Sequence, residues 1–266
     1  IMKSGMYNIK GFNGIRGLCV LAVFLAHKCD FNSNIAAIGV WTFLIISGFL
    51  IVGELHRARI NIEANLYDTK AALGIFLLKR ASRVFPAYYT LLAILFLVNL
   101  IYNLNETKVG FIWHAAYLSN FYTAYISNFI GTPFGVLWTL SVEQQYYVFI
   151  PLLILFSQSK RHFAICIVIV FLSFFGQMFM IMKGIPAGAV YLTGPWNFAL
   201  ITIGGIASIK SQKKTGNIFN SALASVVCLI LTLFYVIGAL EVTQSEISRQ
   251  VFAMSVGVAL CVLILW

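Results

Sequence analysis

The chain has 266 residues, of which 61% are hydrophobic and only 10% charged, with a formal net charge of +10 and a mean hydropathy of +0.91. Soluble domains carry about 25% charged residues, so a water-soluble globular fold is excluded. Surplus Lys and Arg on so apolar a chain reads as cytoplasmic loop charge of a membrane protein rather than as a nucleic-acid surface.

Five stretches, 35–53, 84–102, 163–182, 184–209 and 217–240, contain no charged residue, over the roughly 17–25 residues that a bilayer crossing demands. Lipid offers no water to an open backbone, so the expected fold is an all-α, polytopic transmembrane helix bundle. With a basic, cytoplasmic N-terminus, the first span covers about 12–30 and runs outward, and 35–54 returns. The loop 56–83 then lies inside with its cluster of His56, Arg57 and Arg59 and of Lys79, Arg80 and Arg83. The third span, 84–103, runs outward.

The next segment, 110–128 (FIWHAAYLSNFYTAYISNF), is aromatic and only moderately apolar. As a full span it would place Lys160-Arg161 and Lys213-Lys214 outside; as an interfacial or re-entrant segment it places both inside, as the charge rule prefers. Trp113, Tyr117, Tyr122 and Tyr125 then suit an aromatic belt. Further spans follow at about 134–157, 163–182, 188–209, 218–240 and 248–266, making eight spans plus one irregular segment. The chain begins with Ile and stops within the apolar run CVLILW, so truncation is expected at both ends of what reads as a single membrane-embedded domain over 1–266. Cys19, Cys29, Cys166, Cys228 and Cys261 show no CxxC pairing and read as small hydrophobes, with no metal site expected.

Three polar features call for explanation. In FNGIRGLCVLAVFLAH, Arg16 and His27 stand eleven residues apart, within about 20° of three helical turns and roughly 16 Å along one face. They either mark the inner and outer interfaces of the span or face a cavity. Glu143 is the only acid between Val109 and Ser159, with Tyr146 and Tyr147 on its helix face; a buried carboxylate needs a partner. On this topology the partner is His27, as an oriented general base or as an ion pair that only fixes packing. Lys79, Arg80 and Arg83 at the mouth of the third span either anchor topology or clamp an anion such as a phosphate.

Together, Arg-x10-His in the first span, GVWTFLIISGFLI in the second, KRASRVFPAYY opening the third and LWTLSVEQQYY resemble the integral-membrane acyltransferase family 3, most clearly over residues 7–157. The resemblance implies about ten spans and transfer of an acyl group, usually acetyl, from cytosolic acyl-CoA to a hydroxyl of a cell-surface or lipid-linked carbohydrate. By residue it implies His27 and Glu143 as catalytic and Arg16, Lys79, Arg80 and Arg83 as the coenzyme-binding set. Acyl-CoA is then a co-substrate, with no permanently bound cofactor, and the setting is the inner (cytoplasmic) membrane with the N-terminus inside. One position departs from the family pattern. Where many members carry an arginine before the small-residue motif, TGPWNFALITIGG offers Trp196 and Asn197. A multi-pass transporter or flippase, or an inactive acyltransferase relative in glycan assembly, remains as the alternative.

Overall fold

The computed structural model of the chain describes residues 12–29, 33–102, 105–127 and 135–211. Among them all regular structure is helical: α1 Phe12–Lys28, α2 Ser33–Glu63, α3 Thr69–Tyr102, α4 Asn105–Ala115, α5 Ser119–Tyr125, α6 Trp138–Leu155, α7 His162–Met182, α8 Ala187–Thr193 and α9 Trp196–Ser211, with 3-10 turns at Gly135–Leu137 and Ser159–Arg161.

Three helical stretches are long and apolar enough to cross a bilayer, Ala36–Glu63, Thr69–Tyr102 and Ser159–Met182, and a fourth if α8 and α9 count as one span bent by 41°. Six of the eight expected spans fall among the described residues, and those that fail as plain spans do so for physical reasons. The apolar part of α1, Asn13–Ala26, is too short. α6 carries Glu143, Gln144, Gln145 and two tyrosines, which lowers its hydropathy below that of a plain span. The expected span at 188–209 is broken at Gly194-Pro195, where Gly194 lies so close to the Val190 carbonyl and the Gln177 amide that a Cβ would overlap both. The expected spans at 218–240 and 248–266 lie outside the described residues.

The basic loop expected at 56–83 is mostly helix. α2 runs on to Glu63 and α3 starts at Thr69. Between them Asn65 takes the left-handed conformation (φ 57°), the Leu66 N–H returns to the Asn61 carbonyl at 2.9 Å, and Asp68 Oδ2 accepts the Ala71 N–H at 3.0 Å. An αL asparagine closing one helix and an aspartate capping the next is what such a corner requires.

The described residues fall into two compact units. The first contains α1, α2 up to Glu54, Cys166–Val170 of α7 and α9 from Ala199. Here α2 and α9 meet through glycines. A Cβ on Gly48 would overlap the Ile201 carbonyl, one on Gly204 would overlap that of Ile45, and one on Gly205 would stand 2.6 Å from Val52 Cβ. Small residues at a crossing let helix backbones approach where lipid supplies no hydrophobic drive for association. Leu44, Ile45, Ile51, Leu200 and Ile201 are fully buried around the crossing, and Ile46 and Phe49 pack with Ile15 of α1 and Ala207 of α9.

The second unit contains α2 from Leu55, α3 to α6, the ends of α7, and α8 to the start of α9. The α2 end and the α6–α7 corner meet: Arg59 donates to the Leu155 carbonyl at 2.8 Å, Glu63 accepts the Ser159 N–H at 2.8 Å and the Ser159 hydroxyl, and His56 and His162 share an Nδ1···Nδ1 hydrogen bond of 2.7 Å. The 56–63 and 155–162 clusters are therefore neighbours in the second unit.

The segment at 110–127 forms a helical hairpin beside α3. α4 descends antiparallel along α3, with Phe111 beside Phe96 (5.1 Å) and the His114 carbonyl bonded to the Tyr88 hydroxyl (2.7 Å). α5 returns along α4, with Tyr122 against both His114 (5.1 Å) and Gly110, where a Cβ would meet its ring at 2.6 Å. Tyr88 stands 14 residues before the end of α3, about 21 Å along the helix, so the hairpin tip lies deep beside α3. Of the four aromatics expected in a belt, Tyr117 and Tyr122 are buried, and Trp113 and Tyr125 are exposed.

Candidate active site

The site is built around the motif on α6. Ser141 and Gln145 lie one turn apart on one face; Glu143 and Tyr147 lie one turn apart on the opposite face. The first face holds the tip of the α4–α5 hairpin. Ser141 Oγ donates to the Leu137 carbonyl and accepts the Ser119 N–H, both at 3.2 Å, while Gln145 Nε2 donates to the Tyr117 carbonyl at 2.9 Å and to Asn120 Oδ1 at 3.0 Å. α3 holds the same tip from its own side. The carbonyls of His114 and Ala115 at the end of α4 accept the Tyr88 and Tyr89 hydroxyls at 2.7 and 3.1 Å, the first together with the Tyr117 N–H at 3.0 Å. His114 Nδ1 and Ser119 Oγ, both fully buried, complete the turn at 2.8 Å.

At the tip Tyr117 adopts φ 55°, a conformation that glycine or asparagine usually supplies and that strains a bulky residue. Asn65 (φ 57°) and Gly184 (φ 71°) close two other helices in the expected way. Tyr117 is held there by stacking on Tyr88 (4.2 Å) and Phe85 (5.7 Å). Such strain persists where surrounding structure over-determines it, and it clusters at functional sites.

The second face of α6 meets the basic end of α3. The Tyr147 hydroxyl donates to Glu143 Oε2 at 3.2 Å, and the Arg80 guanidinium lies over the Tyr147 ring at 5.7 Å and over Phe76 at 5.3 Å. Phe76 stands edge-on to Tyr147 at 6.4 Å. Glu143 and Tyr147 are buried and Arg80 is half-buried, whereas Lys79 and Arg83 are exposed. The structure thus separates the basic trio: Arg80 turns inward and its two neighbours outward. Tyr146, on the same sequence face as Glu143, is fully buried against Phe198 (5.8 Å) instead.

In the first unit, Arg16 is half-buried with its guanidinium over the Phe43 ring at 5.8 Å. His27 lies on α1, but its side chain falls outside the described residues, so the expected Glu143–His27 pair does too. Trp196 and Asn197, at the departing position, take structural duties. The Trp196 N–H donates to Gln177 Oε1 at 3.4 Å, and Asn197 Nδ2 donates to the Tyr191 carbonyl at 2.9 Å. Cys19 and Cys166 are buried and Cys29 is exposed; Cys228 and Cys261 lie outside the described residues.

Sequence reasoning passed over Gln145, Asn120 and Ser119, because nothing in their spacing announces a hairpin. Tyr147 was legible as a neighbour of Glu143, but not as a contact of Arg80.

The chain belongs to acyltransferase family 3, whose profile, described as an acyltransferase domain, matches residues 9–266. It is 28% identical over 170 residues to a Staphylococcus aureus (strain COL) protein provisionally named an O-acetyltransferase, covering 59% of this chain and 27% of that protein. It is 28% identical over 160 residues to O-acetyltransferase OatA of Staphylococcus aureus (strain NCTC 8325), covering 56% of this chain and 25% of OatA. An uncharacterized protein of Haemophilus influenzae is 30% identical over 143 residues, covering 50% of this chain and 56% of that protein. The match thus spans about a quarter of the two staphylococcal relatives and about half of the third. No solved structure matches the chain.

Proposed function

We propose that the protein transfers an acyl group, acetyl in the first instance, from cytosolic acyl-CoA to a hydroxyl of a cell-surface or lipid-linked carbohydrate. Family membership and the O-acetyltransferase names of its relatives support the acyl transfer. The observation that carries the reading for this chain is the run Arg80–Tyr147–Glu143, which joins a basic helix end to a buried acid. Lys79, Arg80 and Arg83, with Arg16, bind the phosphates of the coenzyme, for which guanidinium groups are suited by charge and fork geometry. His27, oriented by Glu143, takes the proton of the acceptor hydroxyl. The oxygen attacks the thioester carbonyl, the C–S bond breaks, and the coenzyme thiolate leaves with the proton that His27 held. The enzyme carries no resident cofactor. It sits in the cytoplasmic membrane with its N-terminus and basic clusters inside.

The test is acetyl transfer from labelled acetyl-CoA by purified protein to envelope carbohydrate, comparing wild type with His27→Ala. The mutant is expected to insert and accumulate but to lose about 10²–10⁴-fold in turnover, the usual contribution of a positioned base. A wild-type protein that forms no acetyl ester and consumes no thioester refutes the reading and leaves transport as its replacement; a well-expressed His27→Ala with undiminished turnover removes the base assignment alone.

A further inference from the structure

Tyr147 touches both halves of the proposed machinery, through different atoms. Its hydroxyl donates to Glu143 Oε2 at 3.2 Å, and its ring lies under the Arg80 guanidinium at 5.7 Å. Phenylalanine would supply the ring without the donor. A leucine would supply neither. The residue is buried, so the hydroxyl is not there for solvation, and in an apolar helix a buried hydroxyl is costly without an acceptor.

The way Arg80 is held matters as well. Its guanidinium lies over two rings, Phe76 at 5.3 Å and Tyr147 at 5.7 Å, so the Tyr147 ring helps to place a cation suited to a phosphate. One turn of α6 sets the Glu143–Tyr147 distance, so the same side chain links the Arg80 guanidinium to the carboxylate. Pro151 lies four residues after Tyr147; it has no N–H for the Tyr147 carbonyl, which removes a helical bond just below this point.

We propose that Tyr147 is a positioning residue that couples donor binding at Arg80 to the placement of Glu143. The proposal rests on the acyl-transfer reading above. It assigns separable work to the ring and to the hydroxyl, and two variants part them.

The experiment is steady-state acetyl transfer by the full chain in nanodiscs, with coenzyme A binding followed by calorimetry in parallel. Tyr147→Phe keeps the ring, so KM for acetyl-CoA and the coenzyme A affinity should stay within about twofold of wild type. Its kcat should fall about tenfold, the value of a hydrogen bond to a charged group. Combining Tyr147→Phe with Glu143→Gln should cost no more than Glu143→Gln alone, because the two changes remove one interaction. Tyr147→Leu should also raise KM and weaken coenzyme A binding as far as Arg80→Gln does. If the leucine variant does not accumulate, Tyr147→Met keeps the volume without the π face.

A Tyr147→Phe enzyme with wild-type kcat, or a Leu or Met variant with wild-type coenzyme A affinity, overturns the coupling and leaves the acyl-transfer reading standing. A wild type that binds coenzyme A but transfers no acetyl overturns the acyl-transfer reading, and the ring's hold on Arg80 is still decided by the affinities. A wild type that neither binds nor transfers overturns both.

Discussion

The two units hold themselves together by opposite means. In the first, α2 and α9 cross with glycines at the contact and aliphatic side chains around it, backbone lying against backbone. In the second, α3, α4, α5 and α6 are joined by buried amides, hydroxyls and stacked rings. The difference follows from what each must hold. Two continuous helices satisfy their own backbones and need only close packing. A helical hairpin exposes helix ends and an irregular turn, so neighbouring side chains must supply the hydrogen bonds that the helix no longer makes.

The largest effect expected from this contrast is at Gly48. A Cβ there overlaps the Ile201 carbonyl, and backbone cannot move aside as a flexible side chain can. Overpacking commonly costs about 1–3 kcal/mol and sometimes more, so Gly48→Ala should lower the melting temperature sharply and Gly48→Leu should abolish the monodisperse peak in size-exclusion chromatography. Gly74→Ala on α3, where nothing lies within 4 Å of the added atom, is the matched control and should behave as wild type. Equal behaviour of Gly48→Ala and Gly74→Ala would break the glycine account of the first unit.

The hairpin should answer to polar rather than steric change. Gln145→Ala removes donors from the Tyr117 carbonyl and from Asn120, and buried groups left without partners cost about 1–3 kcal/mol. Hydrogen exchange should rise at 116–120 while α2 and α9 stay protected. A uniform loss of protection over the whole chain would mean that the hairpin is not held locally.

How much of this was written in the sequence depends on range. The Glu143 and Tyr147 pairing is an i,i+4 relation within one helix and could be read directly. So could the resemblance of four motifs in order. The hairpin path of 110–127 left no local trace, since its hydropathy fits an interfacial segment as well as a re-entrant one. Among the described residues fewer plain spans stand than were expected there, because Gly194-Pro195 bends one and the Glu143-Gln144-Gln145 run of α6 makes another too polar. The contact of Arg80 with Tyr147 joins residues 67 apart and left no periodic trace. The same holds for Gly48 and Gly204, whose partners lie far along the chain.

Arg80 and Arg83, read alike from sequence as one basic pair, should now separate. Arg80 packs on Phe76 and Tyr147 while Arg83 is exposed. Arg80→Gln should weaken coenzyme A binding and also lower thermal stability by about 0.5–2 kcal/mol, the range of a cation–π contact from exposed to desolvated. Arg83→Gln should weaken binding with its salt dependence and leave stability unchanged. Identical stability for the two variants would refute the inward placement of Arg80.

The smallest effect belongs to Glu63, at the corner where α2 meets the α6–α7 connection. Its ion pair with Arg59 at 3.2 Å is solvent-accessible, and exposed pairs contribute no more than about 1 kcal/mol. Its larger task is to accept the Ser159 N–H at 2.8 Å together with the Ser159 hydroxyl. Glu63→Gln keeps one carbonyl oxygen for the Ser159 N–H and replaces the other oxygen by an amide NH2, from which the Ser159 hydroxyl can accept instead of donating. Its stability should therefore fall by about 1 kcal/mol or less, and the part due to charge should shrink in high salt. Glu63→Ala removes the acceptor altogether and should cost more, with hydrogen exchange rising at 158–161. The buried His56–His162 pair beneath it, at 2.7 Å, should keep the corner closed in both variants. A Gln variant as damaged as the Ala variant would show that charge, and not the acceptor, ties these two helix ends together, and the polar account of the second unit would then have to give way to an electrostatic one.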